Sequence, residues 1–186
     1  MKNKVIVCFS ILLSFLIGCK GEAPSKQSKA NNIDYYQFFK FDLSPYDIAA
    51  TIMLPDETVG IGTSFLPEIK HKEADFLWEL NIGPNFSFLI EDFGDVKELV
   101  KTHKAKILDK QQSIYQVKLI VDEPELLVYE RKLKTATNEP TGVTYHAYAQ
   151  KKINRVYYEF KSPEVGHSRK VIEIMEKTFR SIKAIK

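Results

Sequence analysis

The stretch Tyr145–Phe160, YHAYAQKKINRVYYEF, decides the fold. Apolar and polar residues alternate on both sides of its centre, the pattern of two half-buried strands. A turn centred on Lys152-Ile153, with a two- or a four-residue loop, sets Gln150 opposite Arg155. That register pairs Ala149 with Val156, Ala147 with Tyr158 and Tyr145 with Phe160 on one face. The other face carries Gln150 with Arg155, Tyr148 with Tyr157, and His146 with Glu159. One register thus separates apolar from polar along the whole hairpin, as an antiparallel pair covered on one side requires.

The same period of two recurs upstream. Tyr46, Ile48, Ala50, Ile52 and Leu54 read as one strand, stopped at Pro55-Asp56. Phe76, Trp78, Leu80 and Ile82 read as a second, Phe86, Phe88 and Ile90 as a third. Tyr115, Val117, Leu119 and Val121 make a fourth, ended by Asp122-Glu123-Pro124-Glu125, and a fifth runs from Leu126 to about Lys132. Asp95 is the expected N-cap of a helix over 95–108, with Glu98 at capping-box spacing. A second helix is expected from about Glu164 to Ile182, where Val171, Ile172, Met175, Phe179 and Ile182 form an apolar stripe. On it, Glu173 with Lys177 and Glu176 with Arg180 stand at i, i+4. The expected class is α+β: a mainly antiparallel sheet of about six to seven strands flanked by helices, the C-terminal one docked on the sheet. The texture of the chain places this single domain at 34–186, long enough for one core.

What precedes the domain is of another kind. Lys2 and Lys4 lead into the apolar run Val5–Ile17, VIVCFSILLSFLI, closed by Gly18. This is the layout of a secretory signal, 1–18, and the run is too short to span a bilayer, which takes about 18 apolar residues or more. Leu16-Ile17-Gly18-Cys19 resembles the bacterial lipobox. The resemblance implies cleavage before Cys19, a diacylglycerol on its thiol and acylation of the new amine. Residues 19–33 are then a lipidated cysteine and a polar tether, since 20–33 reads KGEAPSKQSKANNI. Two or three acyl chains hold durably where one holds marginally, so the expected location is the cell envelope, with the outer membrane facing the periplasm favoured because Lys20 rather than Asp follows Cys19. With Cys8 lost and Cys19 acylated, no thiol is left for a disulfide. The net charge of +3 falls to about +1 without Lys2 and Lys4, which gives no argument for nucleic acid as a partner.

A lipoprotein signal, a polar linker, a strand closing at Met53-Leu54-Pro55-Asp56-Glu57, meandering strands, and a terminal helix ending Phe179-Arg180-Ser181-Ile182-Lys183 are together similar to the Mog1/PsbP-like superfamily. The likeness covers most of 40–186 and lies in pattern. It implies an antiparallel sheet with flanking helices and a non-enzymatic module that binds or assists other proteins; it carries no site residue over.

Chemistry is sparse in the sequence. His71, His103, His146 and His167 are scattered, with neither His-x-His nor His-Glu-x-x-His spacing, so no metal or cofactor is expected. His103 reads as core-facing. Gly60-Ile61-Gly62-Thr63-Ser64 lacks the Lys-Ser/Thr ending of a phosphate loop. The acidic runs 91–95 and 122–125 have the composition of turns and helix starts rather than calcium loops. Tyr148 and Tyr157 stand out, placed side by side on the polar face between His146/Glu159 and Gln150/Arg155. Exposed, they would mark a recognition surface; covered by the helix over 95–108, they would pack beneath it. The expected function is a lipid-anchored binding or assembly-accessory module without catalytic activity, recognising an envelope protein or a ligand. The alternative is an enzyme using His146 and Glu159 as acid and base.

Overall fold

The computed structural model describes residues 33–63, 66–72, 74, 76–109, 114–134 and 142–185. The signal segment, Cys19 and the linker up to 32 lie outside the described residues.

Three strands form a small antiparallel sheet in the order β1-β2-β10: β1 is Phe38–Asp42, β2 Ala50–Pro55 and β10 Lys183–Ala184. Seven more form the main sheet: β3 (Glu68–Lys72), β4 (Leu77–Asn81), β5 (Ser87–Asp92), β6 (Tyr115–Glu123), β7 (Leu126–Leu133), β8 (Val143–Ile153) and β9 (Val156–Lys161). Its order is β3-β4-β5-β9-β8-β7-β6, with every neighbour antiparallel. Helix α1 is Leu99–Asp109 and helix α2 Arg169–Arg180. The class is α+β and mostly antiparallel sheet.

The central hairpin keeps its faces and changes its register. Its turn is Asn154-Arg155, so Ile153 stands opposite Val156, Gln150 opposite Glu159 and Tyr148 opposite Lys161. Two local facts select this turn. Asn154 sits at φ 56°, a left-handed conformation that asparagine tolerates far better than the β-branched Ile153, and Ile153 is 2% exposed and belongs to the core. The pairings of Gln150 with Arg155, Tyr148 with Tyr157 and His146 with Glu159 are therefore corrected. The slip is four residues, an even number, so each side chain stays on its expected face.

Other element ends move for equally local reasons. Tyr46 and Ile48 leave the first strand because Pro45 starts a short 3-10 turn, Ser44–Tyr46, closed by Asp47 at φ 64°. The aromatic run before it supplies β1. Helix α1 begins at Leu99, not Asp95, and the capping box does not form. Phe93 N donates to Tyr157 O at 2.9 Å and Tyr157 N to Gly94 O at 2.7 Å, tying the chain to β9 past Gly94. The Oε1 of Gln150 on β8 then accepts from Val100 N at 3.2 Å and satisfies one helix-start donor. Helix α2 starts at Arg169 rather than Glu164, because Tyr145 and His167 exchange backbone hydrogen bonds of 3.0 Å and Ser168 caps from there. Arg180 pairs with Glu176 at 2.9 Å as expected, whereas Glu173 pairs with Arg169 instead of Lys177.

The two faces of the main sheet carry different cores. On the α2 side, Phe179 meets Phe88 edge-on at 5.3 Å and Phe160 at 5.9 Å, in a cluster that also takes in Ile52 and Leu54 of β2. The α1 side holds a smaller cluster of Leu99, Val100, Ile107, Leu127, Tyr129 and Tyr148. Helix α1 is short and covers only part of that face.

Candidate functional site: a tyrosine-histidine cavity under α1

Strand alternation points Thr144, His146 and Tyr148 of β8 to the α1 side, and the β7 register sets Arg131 opposite Thr144, Tyr129 opposite His146 and Leu127 opposite Tyr148. Beside α1, Thr144, His146, Tyr148, Tyr129 and Arg131, with Glu91 of β5 and Glu159 and Lys161 of β9, wall an open cavity of about 820 Å³.

Two imidazole-phenol stacks form its inner wall. His103 of α1 lies on Tyr148 with ring centres 3.9 Å apart and planes at 15°; Tyr129 lies on His146 at 4.9 Å and 12°. The stacks are joined by His103 Nε2 and the Tyr129 hydroxyl, 3.3 Å apart, and His146 Nε2 meets Thr144 Oγ1 at 2.9 Å. Burial holds His103 down to about 4 and His146 to about 3, helped by the positive charges of Lys106 and Lys161 on the first and of Arg131 on the second. Both rings are neutral at ordinary pH. Burial pushes Tyr129 up to about 12, and raises Tyr148 as well, with the Glu159 carboxylate adding to the effect.

Beside the stacks runs a polar chain. The Tyr148 hydroxyl donates to Glu159 Oε2, and the ammonium of Lys161 pairs with the other Glu159 oxygen and with Glu91 Oε2, the latter at 2.9 Å. Glu159 is 5% exposed, its carboxylate hydrogen-bonded by the Tyr148 hydroxyl and paired with the Lys161 ammonium that Glu91 shares. At the far end, Arg131 Nη2 donates to Glu164 O at 2.6 Å and the guanidinium lies 4.6 Å over the Tyr115 ring.

Four residues singled out in the sequence are thus placed, with two corrections. Tyr148 is 3% exposed beneath α1, and Tyr157 stands opposite Lys152, whose ammonium lies 5.5 Å from its ring. They are neither adjacent nor an open tyrosine surface; the helix covers Tyr148, and the shifted register separates the two. His146 and Glu159 both line the cavity, yet Glu159 is opposite Gln150, which puts it four residues, about 13 Å of strand, from His146. They form no direct acid-base pair.

Tyr129, Lys161 and Arg131 line the cavity without having stood out in the sequence, and His103, there read only as core-facing, lines it too. The alternation of Leu127, Tyr129, Arg131 and Leu133 was a usable signal for β7; nothing in the sequence joined it to β8. The acidic runs are occupied in other ways: Asp122 pairs with Lys104 at 2.6 Å, Glu123 with Arg180 at 2.7 Å and Glu125 with Lys151 at 3.0 Å. Among the described residues, no group of three or more His, Cys, Asp or Glu could hold a metal ion, and no helix is long and apolar enough to cross a membrane.

Comparison of the chain with protein-family models, with curated proteins and with solved structures gives no match in any of the three.

Proposed function

We propose that the protein is a lipid-anchored envelope module that works by binding, without catalysis, and that its ligand seat is the cavity under α1. The cavity itself supports this reading. Its size falls in the range of about 300–1,000 Å³ that small-molecule sites occupy, and aromatic walls with a few convergent polar groups are what such sites use. A small ligand suits it better than a protein surface, because its polar groups lie at depth between α1 and the sheet. The alternative of an enzyme running on His146 and Glu159 is disfavoured by their separation and by the weak basicity of a ring held near 3. The anchor rests on the lipobox-like Leu16-Ile17-Gly18-Cys19, and the Mog1/PsbP-like resemblance fits a binding role.

Anchor and seat are tested on one preparation. Cys19→Ser is expected to move the protein out of the membrane fraction; a variant that stays membrane-bound overturns the lipid anchor. Wild-type protein extracted in mild detergent and examined by native mass spectrometry is expected to carry a small-molecule adduct. Leu89 is half-buried in the cavity wall, so Leu89→Trp fills the seat without disturbing the core and is expected to lose the adduct. An adduct that survives Leu89→Trp, or none in the wild type, counts against the seat.

A further inference from the structure

On the sheet that floors the cavity two carboxylates face each other. Glu91 of β5 stands directly opposite Glu159 of β9, and both line the cavity. Like charges in a cross-strand pair are destabilising, the more so where one of them is buried, as Glu159 is. A single cation serves the pair. Lys161 hydrogen-bonds Glu91 Oε2 at 2.9 Å, and Glu159 Oε1 lies against the same ammonium without accepting a hydrogen bond from any described group. The Tyr148 hydroxyl donates to Glu159 Oε2 as a neutral phenol, so it holds that oxygen and adds no positive charge. Gln150, next across the sheet from Glu159, has its side-chain oxygen taken by Val100 N. Among the described residues no second cation pairs with either carboxylate, so this corner keeps one negative charge more than it neutralises. It is also open: the Glu91 side chain is 31% exposed, and its Oε1 has no partner among the described residues. The walls beside it are apolar and aromatic. Leu89 and Phe93, two residues away from Glu91 on either side, line the same cavity. The His103 ring stacked on Tyr148 is neutral at ordinary pH and presents a flat surface that does not repel a cation.

We propose that the Glu91/Glu159 corner holds the ammonium group of an aryl amine, a ligand with one positive charge and an uncharged aromatic body packed along Phe93 and the His103-Tyr148 stack. The assignment rests on the reading of the cavity as a ligand seat and specifies what fills it. An ammonium supplies the cation that the pair lacks, donates to the free Glu91 Oε1, and is attracted by the aromatic faces beside it. An anion would meet two carboxylates. A neutral ligand would cover the pair and leave its charge uncompensated and drier than before, which is unfavourable. A divalent metal ion needs several ligating groups, and the described residues offer no group of three or more His, Cys, Asp or Glu. In the rest of the lining Lys106 and Glu164 carry opposite charges, and Arg131 is engaged on the Glu164 carbonyl and the Tyr115 ring, so no second charge on the ligand is called for.

The test is calorimetric titration of the full-length lipoprotein in detergent micelles at pH 7 with tryptamine, an alkylammonium at that pH, and with tryptophol, which carries a neutral hydroxyl in place of the amine. Tryptamine is expected to bind about tenfold more tightly than tryptophol. Glu91→Gln keeps the size and shape of a side chain that is half-buried at the cavity wall, and it removes one of two opposed charges, so it leaves the fold intact. It is expected to weaken tryptamine about fivefold or more and to leave tryptophol unchanged. Partition of either compound into the micelles is common to the two proteins and cancels in the comparison. Equal binding of the two compounds by the wild type overturns the ammonium, and a preference that Glu91→Gln leaves intact overturns its placement at the carboxylate pair. No binding of tryptamine overturns the aryl amine. In that case an adduct in native mass spectrometry that Leu89→Trp removes shows that the seat itself stands, and the lack of any adduct removes both readings.

Discussion

Gly166→Ala is expected to lower the melting temperature by about 10 °C, although it adds only one methyl group to a half-buried loop position. Gly166 lies between β9 and α2 at φ 72°, and a Cβ there would stand 2.8 Å from Cε1 and Nε2 of His146 and 2.8 Å from Cβ of Thr144. Neither neighbour can give way cheaply. His146 is 3% exposed, stacked on Tyr129 and bonded to Thr144, and the Thr144 Cβ is fixed by the strand. The left-handed conformation costs an alanine about 1–2 kcal/mol, and overpacking against a fixed neighbour about 1–3 more. For a domain of this size each kcal/mol is worth roughly 2–4 °C. Gly94→Ala is the control, because Gly94 has φ 59° and nothing within 4 Å of the added carbon. It should show the conformational cost alone, about a third of the effect. Thermal melts that shift equally for the two variants would mean that the loop does not press on His146. Adding His146→Ala to Gly166→Ala should recover part of the loss, since the two sites touch and their effects cannot be additive.

That contact also marks the boundary of what the sequence could reveal. The strands of the main sheet from β4 to β9 were legible because period-two alternation is a local property, and so was the parity of each face. Register was harder: a four-residue slip leaves the hydrophobic pattern unchanged, and only the left-handed position of Asn154 and the burial of Ile153 choose between the two turns. The edge strand β3, EIKHK, was invisible because four of its five residues are exposed and it has no apolar face to read. The capping box at Asp95 failed for a tertiary reason, the backbone bonds that Phe93 and Gly94 make to Tyr157. The site failed in the same way. Its core is the apposition of β7, β8, β9 and α1, and the residues meeting there, His103, Tyr129, Tyr148 and Glu159, are as far apart as 56 positions in the chain. No spacing rule links them. What the sequence did expose was an aromatic residue on a polar face at Tyr148, whose reason becomes plain only with α1 above it and the Glu159 carboxylate below.

Acid is expected to weaken the domain well before its carboxylates titrate, and the two stacked histidines should account for most of the loss. In an unfolded chain both imidazoles take up protons near pH 6.5. Folded, His103 stays neutral to about 4 and His146 to about 3, held there chiefly by burial and secondarily by Lys106 and Lys161 on one side and Arg131, His103 and His167 on the other. Between pH 6.5 and 4 the unfolded chain therefore binds more protons than the folded one, so stability falls as pH falls. The limiting slope is about 1.4 kcal/mol per pH unit for each histidine, which integrates to about 2 kcal/mol each, and about 4 together, between pH 7 and pH 5. His167, also lowered by burial, acts in the same direction. Glu123, held below its usual value by Arg180, and Asp42, held down by its Ser44 hydrogen bonds, have depressed values and lose their contributions only at lower pH. Urea unfolding at pH 7 and pH 5 measures the effect directly. His103→Gln and His146→Gln should each remove about half of the pH dependence, whatever they cost in stability at pH 7. A wild-type loss below about 1 kcal/mol between the two pH values, or a dependence that both variants leave intact, would mean that the rings gain protons in the folded state too. The stacks would then be wet, and the cavity they wall would not have the dry, neutral lining expected of a small-ligand seat.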